Sequence, residues 1–193
     1  RECTDLLELC RRRNLLLLSD EIYDEFTFHA HRTEHPRSAG PGLAADRTLC
    51  PSPARLAGSE DAVLLVRGFG KTYGCTGWRL GYAAGPAPII DSMIKFQQHT
   101  FVCAPTPLQH GVLAALEHPM DHIVDLYEQR RDLALRILGP HAQVPEPGGA
   151  YYAFVEVPKR LNQTAQQFCD GLIADRVLVI PGNVFSPRDT HFR

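Results

Sequence analysis

The feature that most limits the fold is a run of four leucines at residues 15–18 that stops at Ser19 and Asp20. An uncharged run without polar alternation suits a strand covered on both faces, the usual condition of a parallel sheet. The residues before it place Cys3, Leu6, Leu7 and Cys10 on one helical face, so the pattern reads helix, then buried strand. In parallel sheets the polar functional groups gather just beyond the carboxyl ends of the strands. Asp20 and Tyr23 stand at such an end.

A second apolar run, DAVLLVR at 61–67, repeats the signal and delivers the chain into GFGKTYGCTGWRLGY at 68–82. WRLGYAAG reads as another strand, closed by the turn residues Gly85 and Pro86. Between the first two strands, Pro36, Pro41, Pro51 and Pro53 with Gly40, Gly42 and Gly58 mark residues 30–60 as a long surface excursion. Helical patterning covers 87–98 and 106–118, with Pro107 acceptable in a first turn. A longer helix at 120–138 stops at Gly139 and Pro140. Beyond it the units shorten to a strand (YYAFVEV), a helix (TAQQFCDGLIAD) and a strand (VLVIPG), the texture of a small α+β layer. The expected organisation is a larger α/β domain over 1–125 and a smaller one over 126–193.

Composition narrows the partners. Twenty basic residues against 22 acidic ones leave a net charge of −2, without the basic surplus that nucleic acid or an anionic membrane demands. Cys3, Cys10, Cys50, Cys75, Cys103 and Cys169 form no C-x-x-C pair or metal-ligand rhythm and read as reduced, structural thiols. His29, His99, His110, His118, His122 and His191 show no H-E-x-x-H spacing, so they read as surface or interface residues and no metal is expected. The leucine run is too short to span a bilayer and no signal peptide is read before it, so the expected compartment is cytoplasmic.

Lys71 carries the functional question. In a Gly-rich loop beyond a buried strand, a lysine can neutralise phosphate, form a Schiff base with a carbonyl, or lie on the surface. A nucleotide-hydrolysing P-loop is excluded, because G-x-x-x-x-G-K-[ST] requires glycine six residues before the lysine and that residue is Leu65. The neighbourhood adds weight: Asp20 and Tyr23 follow one apolar strand, Lys71 follows another, and Arg79 lies further along the same loop.

Taken together, SDEIYDEF, GFGKTYGCTGWRLGY, CAPTPLQHG, PGGAYYAF and VIPGNVFSPRDTHFR resemble successive landmarks of the class I/II pyridoxal-phosphate (PLP) aminotransferases of fold type I. The resemblance implies a partial fold type I α/β structure, with a mainly parallel sheet flanked by helices and part of a smaller α+β domain. It implies that Lys71 forms the Schiff base with PLP and then shuttles the substrate proton. Asp20 would pair with the pyridine nitrogen, Tyr23 with the ring oxygen, Arg79 with the phosphate, and Arg193 with the substrate's alpha-carboxylate. Gly148 and Gly149 would form the turn into the small-domain strand.

The implied activity is transfer of an amino group from an L-amino acid to a 2-oxo acid by a homodimer, without nucleic acid or membrane partners. Another PLP reaction (beta-elimination or decarboxylation) and a non-catalytic ligand-sensing domain of a transcription regulator are the alternatives. The family's phosphate-binding loop, ring-stacking aromatic and ring-facing Asn would lie upstream of Arg1, so the chain reads as a fragment, expected to be inactive and poorly soluble alone. Trp78 and Phe101 are therefore expected to pack in the core. Gly68 and Gly70 replace hydroxyl residues that family members often place near the lysine, which predicts a thinner phosphate grip.

Overall fold

The computed structural model describes residues 1–35 and 47–193. The chain divides into two compact units, Arg1–His122 and Ile123–Arg193.

In the first unit, α1 (Glu2–Arg12) opens with Glu2 and Asp5 in its first turn and closes with Arg11 and Arg12 in its last. That is the order the helix dipole favours. Leu7 and Cys10 are its buried residues, and Leu7 joins Ala62 and Val63 in a core flanked by Leu17, Ala54 and Leu56. Burying one such leucine contributes about 2 kcal/mol, so this seam fixes the helix against the sheet. β1 (Leu17–Asp20) follows.

The strand lies two residues later and is more open than the sequence suggested. Leu15 and Leu16 precede it, and Leu18 is 59% exposed. Among the described residues nothing covers that face, so the expectation of a strand buried on both sides is corrected.

The stretch read as a surface excursion is partly structured and partly internal. β2 (Thr33–His35) and β3 (Arg47–Leu49) pair antiparallel. Residues 36–46, including Pro36, Gly40, Pro41 and Gly42, lie outside the described residues. Ser52, Pro53 and Ser59 are buried, because the 3-10 turn Pro53–Arg55 packs against α1 and the next strand.

β4 (Val63–Gly68) is the central strand. It runs parallel to β1, with Asp20 opposite Val66, and antiparallel to β5 (Gly81–Ala84), with Gly68 opposite Gly81. The sheet order is β1-β4-β5, so the predicted strand from Trp78 begins only at Gly81. Gly81 has a steric reason: a Cβ there would lie 2.7 Å from the Arg67 carbonyl oxygen. α2 (Ala87–Gln98) and α3 (Thr106–Glu117) follow, each with a proline in its first turn. Trp78 sits in a 3-10 turn, 37% exposed, with its ring against Gly111 of α3, and Phe101 is 69% exposed. Both are corrected from core to surface: the buried aromatics of this unit are Phe26, Phe28 and Phe69.

α4 (Asp121–Leu138) begins at the unit boundary and stops before Gly139 as the sequence indicated. In the second unit the apolar YYAFVEV segment supplies only a two-residue strand, β6 (Val155–Glu156). α5 (Ala165–Ala174) starts with a capping box in which Gln167 N–H donates to Thr164 Oγ1 and Thr164 N–H to Gln167 Oε1. Such a cap contributes about 1 kcal/mol. VLVIPG forms no regular strand: its one reciprocal pairing joins Ile180 and Arg193. The partner of β6 is instead β7 (His191–Phe192), in a terminal phrase without strand patterning. No described helix is long and apolar enough to cross a membrane.

Candidate functional site

The parallel pairing of β1 and β4 decides what can meet in the first unit. With Leu17 opposite Val63 and Asp20 opposite Val66, both strands release the chain at the same edge of the sheet. Asp20 is the last residue of β1, and Lys71 lies on the turn just beyond Gly68, the last residue of β4. Glu21 N–H extends the ladder by donating to the Val66 carbonyl at 2.8 Å. Asp20 Oδ1 accepts from Ile22 N–H at 3.2 Å, an Asx turn that bends the chain off the strand. Tyr23, half-buried, rides on that turn.

A closed ionic network underlies the turn. Glu21, with its side chain 5% exposed, accepts from Arg67 Nη2 at 2.7 Å and Nε at 3.2 Å, and also from Ser19 and Ser52 hydroxyls. Arg67 Nη1 also pairs with Asp24 at 3.2 Å. Burial disfavours the Arg67 charge, but Glu21 and Asp24 outweigh it and hold the guanidinium more firmly protonated than usual. Burial pushes the Asp24 carboxyl up, with Arg67 pulling the other way. A buried pair with both partners and extra donors in place is costly to break. Sequence reasoning missed this network, although an arginine closing the apolar run DAVLLVR was a visible signal.

On the β4 side, Phe69 lies 5.9 Å centroid to centroid from both Tyr73 and Tyr82, so aromatic packing frames the lysine's turn. At Gly68 a Cβ would sit 2.6 Å from Ile22 Cδ1, the mobile end of a side chain, with the nearest backbone atom, the Leu80 carbonyl oxygen, at 3.5 Å. Gly70 differs, since a Cβ there would meet nothing nearer than 3.6 Å. Thr72, missed by the sequence reading, is 2% exposed, and its hydroxyl has no hydrogen-bond partner among the described residues. Arg79 follows the 3-10 turn Thr76–Trp78 in left-handed conformation (φ 54°), exposed, its one side-chain contact a long 3.4 Å bond to the Thr76 carbonyl.

Asp20, Lys71 and Arg79 thus make no ion pair among the described residues, while Glu21, Asp24 and Arg67 beside them are saturated. A free carboxylate, a phenol, a free amine and a free guanidinium suit a protonated ring nitrogen, a ring oxygen, an aldehyde and a phosphate. That donor set fits PLP.

Arg193 lies in the second unit. Its backbone exchanges two hydrogen bonds with Ile180, at 2.7 and 3.0 Å, and its guanidinium carbon lies 4.2 Å from the Tyr152 ring centroid and 4.7 Å from that of Phe185. Gly148 and Gly149 precede Ala150, which has φ 58°.

The family model for aminotransferase class I and II matches residues 1–193. The "Probable aspartate aminotransferase" of Methanocaldococcus jannaschii is 31% identical, over 97% of this chain and 46% of its own length. The crystal structure of the aromatic aminotransferase from Pyrococcus horikoshii superposes with a TM-score of 0.83 at 27% identity, over 99% of this chain and 48% of that one. The aspartate aminotransferase structure from Thermotoga maritima gives 0.81 at 25% identity, over 98% and 45%. The chain spans about 45% of the length of the curated relatives it matches. A family match over every residue, joined to a partial fold type I α/β structure, means that this chain belongs to the class I and II aminotransferases, a family of PLP-dependent enzymes.

Proposed function

We propose that the whole protein carrying this chain is an aminotransferase that moves an amino group from an L-amino acid to a 2-oxo acid. The observation that carries the proposal is the set of uncommitted charges, Asp20, Lys71 and Arg79, at one sheet edge beside a saturated ionic network. PLP, when bound, supplies the electron sink that makes the substrate's alpha proton removable. The protein's residues supply the rest.

Asp20 would hold a proton on the ring nitrogen, and its Asx turn keeps the carboxylate at the strand end. Tyr23 would donate a hydrogen bond to the ring oxygen. Arg79 would present its planar fork to the phosphate, and Gly70 leaves room for close backbone approach. Lys71 Nζ would hold the cofactor through its aldehyde carbon and, as a free amine, would move the proton at the substrate's alpha carbon. Arg193 orients the substrate by its carboxylate. In this reading the first unit is part of a large cofactor-binding domain, the second part of a small domain, and the whole protein a cytoplasmic homodimer.

The test is the whole protein incubated with PLP, reduced with borohydride and mapped by peptide. The label is expected on Lys71, with amino-group transfer from an aspartate or aromatic donor to 2-oxoglutarate. A label elsewhere, or unchanged transfer in Lys71→Ala, overturns the proposal. The 193-residue stretch by itself is proposed to be inactive, supported by the exposure of Leu16, Leu18, Phe96 and Phe101. Retention of PLP by that stretch after dialysis counts against this.

A further inference from the structure

Two arginines of the second unit are held in opposite ways. Arg131 is saturated: it reaches Glu128 at 3.1 Å, Asp132 at 2.8 Å and the Pro147 carbonyl at 3.3 Å. Arg193 has the two aromatic contacts already given and, among the described residues, no carboxylate or carbonyl accepting from its side chain.

The rings against Arg193 are themselves anchored. Tyr152 lies 4.6 Å from Tyr151, Tyr151 lies 5.8 Å from Tyr127 of α4, and the Arg130 guanidinium lies 5.0 Å from the Tyr127 ring. Phe185 ends the 3-10 turn Gly182–Val184. That turn is pressed so closely on β7 that a Cβ at Gly182 would lie 2.6 Å from the His191 carbonyl oxygen. Rings attract a guanidinium through its flat faces, whereas its hydrogen bonds leave through its edge. Ring contacts therefore restrain the plane without consuming donors, and a carboxylate meeting a restrained edge is bound by two parallel N–H···O bonds.

We propose that Tyr152 and Phe185 are positioning residues that set the plane of the Arg193 guanidinium, so that its free edge receives the carboxylate of the amino-acid or 2-oxo-acid substrate. The inference rests on Arg193 being the substrate arginine and adds what orients it. Tyr152 and Phe185 act through Arg193 and need not touch the reacting atoms. Ring removal should therefore weaken substrate capture far more than turnover.

The test uses the whole protein. The Arg193 Nε–H resonance, assigned by its loss in Arg193→Lys, is expected to be shifted upfield by the rings and to move on addition of maleate. Tyr152→Leu and Phe185→Leu are expected to lose the upfield shift and to raise the KM for the amino acid about fivefold to tenfold, with kcat within about twofold. The ring-keeping Tyr152→Phe and Phe185→Tyr are expected to behave like the parent. An unshifted resonance in the parent, or leucine variants with parental KM, overturns the proposal. Should a leucine variant not fold, the parent resonance and the ring-keeping pair still decide. A parental KM in Arg193→Lys, with a parent resonance that maleate does not move, sinks the substrate-arginine reading instead, a result separable from Lys71→Ala, which tests the chemistry.

Discussion

Asp20 and Glu21 are adjacent carboxylates with opposite situations. Glu21 is buried and answered by Arg67 and two serines, whereas Asp20 is exposed and accepts only one local backbone bond. The same division runs along β4: Arg67 is tied to two acids, while Lys71 beyond the strand end has none among the described residues. Among the described residues, Asp20, Lys71 and Arg79 have no ion partner and emerge at the same edge of the sheet, beside the saturated network.

That division can be broken by experiment. The largest effect is expected from Lys71→Ala in the whole protein, which should lower transamination about a thousandfold or more. Compared without PLP, the same change should leave stability within about 0.5 kcal/mol, because among the described residues the lysine has no partner to lose. A large drop in melting temperature would place Lys71 with the structural charges. Next is Glu21→Ala, expected to cost about 3 kcal/mol in chemical denaturation, because it leaves Arg67 buried with its second acid alone. Near-parental stability would show that the network is not what holds the turn.

Thr72→Val removes a buried hydroxyl that has no partner among the described residues. It should be neutral or stabilising by up to about 1 kcal/mol. A clear loss of stability would mean that the hydroxyl is satisfied in solution. The smallest effect is a pH slope at Asp24. Its folded carboxyl titrates above the ordinary value because burial outweighs Arg67, so the folded state binds that proton more readily than the unfolded chain. This contribution is present in full below the unfolded carboxylate pKa, about 3.9, and is lost as pH rises through the folded one. Relative to Asp24→Asn, the parent should therefore lose stability as pH climbs through the carboxylate range, and an opposite slope would show that Arg67 dominates.

Much of this was legible in the residues themselves. Helices α2, α3 and α4 follow the periodic runs, α4 stops at its expected breakers, and the succession LLLL, Ser19, Asp20 and DAVLLVR into Gly68 located the edge where Asp20 and Lys71 emerge. What failed depends on partners remote in sequence. A leucine run says what a strand would bury, not whether anything is there to cover it, and so Leu18 was misjudged. Ser52 lay in a stretch read as surface, and only folding brings it to Glu21. The strand read into VLVIPG failed because hydrophobicity does not supply an edge to pair with, and Ile180 alone found one.

The antiparallel pairing of β4 with β5 has a consequence for the order in which the candidate site is assembled. Lys71 and Arg79 lie within one hairpin connection, residues 69–80, so their mutual placement needs only a short loop closed between Gly68 and Gly81. Asp20 reaches the same edge only when β1 finds β4 across the whole of residues 21–62. Closing the shorter loop costs less chain entropy and is faster. Amides of the Arg67–Tyr82 pair are therefore expected to gain exchange protection earlier in refolding than those of the Leu17–Val63 pair. The amine and the guanidinium would then share a frame before the carboxylate arrives, so a mutation that slows β1 docking should delay completion of the site while leaving its lysine-arginine half already formed.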